Sequence, residues 1–273
     1  MTKLKLGIIV GYSGDAMTTL KKVKDLGFPT CQLSCWDQNA FTPENAAKVV
    51  EVAEALEIEI TTVWTGWPGP KVWNLVEGPL TLGLVPPAYR YVRLEALKRG
   101  SDFAKMIGAP GITTHVGFIP ENPNEPEYPG LISALKEIAR YCKANGQFFA
   151  FETGQETPVT LLRAIEDIGT DNLGVNLDPA NLILYGKANP VDALDVFGKY
   201  VVGFHAKDGL YPTDGRKLGK EVPLGEGKVN FPVLIPKLKE LGYTGAMSIE
   251  REIRGPQQIA DIKKAIDLLT PLL

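Results

Sequence analysis

The chain has 273 residues, 44% of them hydrophobic, and a formal net charge of −3, which suits one domain, residues 1–273, with a large core. That charge, with basic residues spread along the chain, excludes the positive field needed to grip a phosphate backbone, so nucleic acid is not an expected partner. Three scattered cysteines, Cys31, Cys35 and Cys142, exclude a disulfide framework or a four-thiolate zinc site and suit a reducing cytoplasm.

In chain order, short apolar or β-branched runs alternate with longer amphipathic segments, the pattern of repeated βα units. The opening MTKLKLGIIVGYSG lacks the long apolar core and cleavage site of a signal peptide, and no later stretch approaches a membrane span. Strands are expected at Leu4–Val10, Thr30–Ser34, Glu59–Val63, Gly111–His115, Gln147–Glu152, Leu173–Asp178, Val201–His205 and Gly245–Glu250. Helices are expected at Ala16–Leu26, Pro43–Leu56, Tyr91–Ile107, Gly130–Asn145 and Val159–Ile168. Thr42-Pro43 and Thr157-Pro158 read as capping hydroxyls ahead of a proline at the first helical position. Leu26-Gly27, Ile107-Gly108 and Asn145-Gly146 place glycine where the chain leaves a helix.

Eight units in one domain imply a closed (β/α)₈ barrel, a TIM barrel of the α/β class. An open doubly wound sheet is the competing fold, but Gly7, Gly11 and Gly14 lack the spacing of a dinucleotide-binding turn. The one long irregular stretch, Trp64 to Tyr89, carries five prolines and reads as a lid or pocket wall.

In such a barrel, side chains at the C-terminal ends of the strands converge on one mouth. Four consecutive expected strands end in a metal-capable group: Glu152, Asp178, His205 and Glu250. Three carboxylates and an imidazole form a hard donor set with open positions, suited to one divalent ion: Mn²⁺ first, with Co²⁺, Mg²⁺ or Zn²⁺ as alternatives. Singly, each would read as a solvated strand end or a helix cap; together they point to a metal.

The ordered segments Phe151-Glu152-Thr153, Asn176-Leu177-Asp178-Pro179, Phe204-His205-Ala206-Lys207-Asp208, Leu224-Gly225-Glu226-Gly227 and Ser248-Ile249-Glu250 resemble the xylose-isomerase-like barrel superfamily of sugar isomerases and epimerases. The resemblance implies a metal held by Glu152, Asp178, His205 and Glu250, with Glu152 and Glu250 as the acid/base pair of a keto-sugar or keto-glycoside epimerase. A metal that chelates a carbonyl and its neighbouring hydroxyl would stabilise the enediolate left when a carboxylate removes the α proton. The sequence departs from many relatives at Asn181, where they carry a histidine; an amide binds a sugar hydroxyl but ligates metal poorly. The same superfamily includes the DNA-repair enzyme endonuclease IV, and two histidines in the whole chain are too few for its histidine-rich zinc site.

Further substrate contacts are expected from His115, at the end of the fourth strand, and from Asn181, Lys207, Trp64, Trp67 and Arg251. The duller roles are a histidine held by backbone, a solvated Lys207-Asp208 pair, core tryptophans and an arginine in a salt bridge. Glu156, just before Thr157-Pro158, reads as a charge favoured at a helix start and is left out of the site. The glycines of Leu224-Gly225-Glu226-Gly227 lie where some barrels bind phosphate, with only Lys228 beside them. The remaining alternatives are a metal-dependent dehydratase of an inosose-like ketone and a non-catalytic sugar-binding barrel. A small sugar is the expected partner, and a homo-oligomer is compatible with the sequence.

Overall fold

The structure, a computed structural model, describes residues 3–273. Its strands are β1 (Leu6–Gly11), β2 (Thr30–Cys35), β3 (Glu59–Thr65), β4 (Gly111–Thr114), β5 (Phe148–Glu152), β6 (Leu173–Leu177), β7 (Val201–Ala206), β8 (Asp208–Leu210), β9 (Lys220–Val222) and β10 (Met247–Ile249). Eight of them close into a parallel barrel in the order β1-β10-β7-β6-β5-β4-β3-β2. The expected fold is the observed one, a (β/α)₈ barrel. The short antiparallel ribbon β8–β9 is an addition that the sequence pattern did not announce.

The helices are α1 (Ala16–Asp25), α2 (Pro43–Leu56), α3 (Gly78–Thr81), α4 (Pro87–Met106), α5 (Glu127–Ala144), α6 (Pro158–Ile168), α7 (Pro179–Leu184), α8 (Pro190–Phe197), α9 (Phe231–Glu240) and α10 (Pro256–Leu269). Thr42 and Thr157 cap α2 and α6 as their hydroxyls suggested, each accepting a backbone N–H three residues on. The segment 64–89 is less irregular than expected. β3 runs to Thr65, α3 lies within it, and α4 starts at Pro87 rather than Tyr91, because proline serves as a first helical residue. Among the described residues, no helix is long and apolar enough to cross a membrane.

Strand alternation sorts the side chains. In β5, Phe149 and Phe151 point to one side, where their rings meet at 5.3 Å, while Ala150 and Glu152 take the other. The barrel axis below the mouth is polar: Gln32, Thr113, Asn176, His205 and Ser248 are all buried. Gly203 is required there, since a Cβ would sit 2.3 Å from the Asn176 Oδ1. The loop before α4 is pinned by Arg93, whose guanidinium donates to the carbonyls of Pro68, Pro70 and Gly83 at 3.1, 2.7 and 2.6 Å.

Candidate functional site

Glu152, Asp178, His205 and Glu250 come from four neighbouring strands, β5, β6, β7 and β10, and each offers one ligand atom within 4.8 Å of the others. Register explains the convergence. Glu152 pairs with Asn176, Asn176 with Gly203, and His205 with Ser248, so Asp178 and Glu250 each stand two residues beyond the partner of the ligand before them, the stagger that tilted barrel strands require. His205 lies inside β7, whereas Asp178, Glu250 and His115 sit one residue past the last paired residue of their strands. Asp178 stops β6 by becoming the N-cap of α7: its Oδ1 accepts the Asn181 N–H at 2.9 Å. Its Oδ2 lies 3.4 Å from the Lys207 ammonium.

His205 is fully buried between the two glutamates. Its Nδ1 lies 2.9 Å from Glu152 Oε1 and 3.1 Å from Glu250 Oε2. Its Nε2 faces Gln32 Oε1 at 2.9 Å, and Gln32 Nε2 donates to Asn176 Oδ1 at 3.1 Å. Since the Gln32 amide spends its N–H on Asn176, its oxygen accepts from His205, which leaves Nδ1 facing the carboxylates. Trp64 donates its indole N–H to the other oxygen of Glu152, and His115 Nε2 stands 3.7 Å from that oxygen.

Burial pushes the Asp178 carboxyl well above the usual carboxylate range despite the nearby Lys207. Burial acts the same way on Glu250, but the Lys207 and His205 charges outweigh it and hold Glu250 well below that range. His205 is driven the opposite way by burial and carried well above an ordinary imidazole by Glu152 and Glu250. Lys207 is buried behind the site with its Nζ 2.7 Å from Glu252 Oε1, 3.4 Å from Asp178 Oδ2 and 3.5 Å from Glu250 Oε2. It also donates to Asn181 Oδ1 at 3.3 Å.

A divalent cation fits this donor set. Asp178 Oδ2 and Glu250 Oε2 are buried and make no close hydrogen bond, with Lys207 Nζ at 3.4 and 3.5 Å, so a cation at closer range would offset the rest of their desolvation. Two buried carboxylates, Glu152 and Asp178, a partly buried one, Glu250, and one imidazole also match the hard, partly open coordination of a catalytic ion.

Above these groups lies a cavity of about 280 Å³, walled by Glu152, Glu250, His115 and Asn181 and by an aromatic face. That face is Trp36, Trp64 and Trp73, with Trp36–Trp64 and Trp36–Trp73 ring separations of 5.0 and 6.4 Å. Trp67 does not line the cavity. It is buried beneath Trp36, 5.4 Å away, with the Arg93 guanidinium 4.2 Å over its ring. Lys207 and Arg251 are likewise absent from this wall. Arg251 is held by Glu221 at 2.9 Å and Asp261 at 2.8 Å, the salt-bridge role rather than a substrate contact in this cavity.

Two other readings are corrected. Glu156 is no exposed charge at a helix start: it is buried, neither oxygen has a donor, and burial pushes its carboxyl up to about 8. The Leu224-Gly225-Glu226-Gly227 loop is not an open phosphate cradle. Its amides are taken by Asp208, whose carboxylate accepts from the N–H groups of Gly225, Gly227 and Val229 and from its own neighbour Gly209, all at 2.8–3.0 Å.

Sequence reasoning missed Gln32, Asn176, Trp73, Tyr185 and Glu252. Gln32 and Asn176 carry a signal, a polar residue inside an otherwise apolar strand run. Trp73, Tyr185 and Glu252 carry none, because loops and a short helix bring them to the wall.

The comparisons agree with this fold. The chain is 36% identical to a solved xylose isomerase domain protein from Planctomyces limnophilus, covering 98% of this chain and 97% of that one with a TM-score of 0.93. A solved D-tagatose 3-epimerase-like protein superposes with a TM-score of 0.75 at 23% identity, over 98% of this chain and 97% of that one. An uncharacterized protein of Methanocaldococcus jannaschii is 24% identical over 99% of this chain and 89% of its own length. The profile of the xylose isomerase-like TIM barrel family matches residues 20–272. The chain belongs to the xylose isomerase-like TIM barrel family.

Proposed function

We propose that the protein is a divalent-metal-dependent isomerase or epimerase of a keto sugar or keto-glycoside. One observation carries the reading: two carboxylates, Glu152 and Glu250, flank the His205 Nδ1 at 2.9 and 3.1 Å on the floor of a cavity with an aromatic wall. The resemblance to a D-tagatose 3-epimerase-like barrel supports it.

Glu152, Asp178, His205 and Glu250 would hold the ion, for which Mn²⁺ is the first choice. When bound, the ion supplies a Lewis acid that polarises a ketone and its adjacent hydroxyl and so lowers the acidity barrier at the α carbon. The protein supplies the proton chemistry. One of Glu152 and Glu250 takes the α proton and the other returns one to the opposite face, so the configuration inverts. The Trp64 indole keeps the Glu152 carboxylate oriented and His115 stands 3.7 Å from it, while Trp36 and Trp73 offer flat faces to the apolar side of a sugar ring.

The test is mass spectrometry of ketoses incubated with the Mn²⁺-loaded protein in D₂O. Deuterium at the α carbon of the product is the expected result, and turnover without it removes the proton-transfer mechanism. Glu152→Gln and Glu250→Gln each should lower kcat by about 10²–10⁴. Elemental analysis of the wild type, His205→Ala and Asp178→Asn should give one divalent ion per wild-type chain and loss in both variants.

A further inference from the structure

Glu250 divides two cavities. On one side of it lies the aromatic cavity just described; on the other lies a second cavity of about 180 Å³, between the ends of β1, β2 and β10 and the start of α10. The two share Ile9, Ser34, Glu250 and Glu252 as wall residues, so they are adjoining lobes of one site.

The lobes differ in chemistry. The first is faced with tryptophan. The second contains no aromatic residue; it has an aliphatic side of Ile8, Ile249 and Ile262 and a polar side of Lys22, Arg251 and Gln258 with the shared carboxylates, and Gly11 at its edge. Arg251 is neutralised by Glu221 and Asp261. Glu250 and Glu252 are held by Lys207, at 3.5 and 2.7 Å, which leaves Lys22, whose Nζ is 3.5 Å from Gln258 Oε1, as the one wall cation without a carboxylate partner. Lys22, Lys207 and Arg251 stand against Glu221, Glu250, Glu252 and Asp261, so the carboxylates outnumber the cations and the lobe does not attract an anion, whereas an ammonium, an amide and carboxylates together hydrogen-bond hydroxyls well.

Gly11 provides the room. Ile9 and Gly11 share a face of β1 by strand alternation, and a Cβ at position 11 would meet nothing within 4 Å. The absent side chain is therefore open volume over the second lobe, not a packing or backbone requirement.

On the strength of the proposed function, we infer that the second lobe receives a second, uncharged, hydroxyl-bearing ring. The substrate is then a keto sugar joined to another glycosyl unit, with the reacting carbon between Glu152 and Glu250 and the linkage passing over Ile9 and Ser34.

The test compares α-carbon deuterium exchange of free 3-keto-glucose and of the same keto ring carried in 3-keto-cellobiose, using Mn²⁺-loaded wild type, Gly11→Leu and Gly11→Ala. Wild type should prefer the disaccharide in kcat/KM by at least about tenfold, the scale on which a filled pocket discriminates. Gly11→Leu should erase that ratio and Gly11→Ala should reduce it in part; exchange of the free sugar in each variant reports an intact fold. A wild-type preference for the free sugar, or an undiminished ratio in Gly11→Leu, overturns the inference and leaves the proposed function standing. Preference for a phosphorylated keto sugar over both also overturns it, by making Lys22 an anion contact. Exchange of neither substrate overturns the proposed function and the inference with it.

Discussion

Gln32 is the residue on which the geometry of His205 turns. Its amide nitrogen is committed to Asn176, so its oxygen takes the Nε2–H of His205 and holds the ring with Nδ1 toward Glu152 and Glu250. Partners of this kind are worth about 10–100-fold in metal affinity. Gln32→Leu should weaken Mn²⁺ binding by that factor in a calorimetric titration, and an unchanged affinity would show that the ring is oriented elsewhere. Glu156 makes a different prediction. Its folded carboxyl titrates near 8 against an ordinary 4.5, so the folded chain keeps a proton that the unfolded chain loses. The stability tied to this proton is complete below pH 4.5 and falls as pH rises toward 8, where the folded form ionises too. Glu156→Gln should therefore leave stability at pH 4 almost unchanged and raise it at pH 7 by on the order of 3 kcal/mol, read by chemical unfolding at the two pH values.

At the scale of elements, the loop after β9 shows how a carboxylate substitutes for a ligand. Asp208 draws four backbone N–H groups onto itself, and Gly227 must lack a side chain because a Cβ would lie 2.0 Å from Asp208 Oδ1. Asp208→Ala strands those amides and should cost about 3 kcal/mol or more. Gly227→Ala should lower the melting temperature as well, through collision rather than loss of an acceptor. A variant Asp208→Ala as stable as wild type would mean the loop is held by its other contacts. The same loop marks the boundary of what sequence could disclose. The glycine spacing was visible but its partner was not, because nothing local says that a carboxylate some seventeen residues earlier folds back onto it. The ribbon β8–β9 was invisible for a related reason: three-residue strands have no periodicity to read. By contrast, Thr42-Pro43 and Thr157-Pro158 fixed their helix starts, since a cap is a contact between near neighbours in the chain.

At the scale of the whole molecule, barrel closure is what turns positions 152, 178, 205 and 250 into one cluster. The four were legible because each broke an apolar strand at the same point of its unit, and repetition made the break meaningful. The cavity wall was not legible to the same degree. Trp64, His115 and Asn181 reach the cavity, but Trp67 turns under Arg93, and Trp73 arrives from a loop whose path depends on that arginine and its three carbonyls. The tryptophans carry a final consequence. The chain has four, Trp36, Trp64, Trp67 and Trp73, and each lies within 6.4 Å, ring to ring, of another. Indole light emission from this protein thus originates at the mouth of the barrel alone. A saturable change in its intensity or colour on adding a sugar should report occupancy of the site without a label, and Trp73→Phe should diminish that signal more than Trp67→Phe.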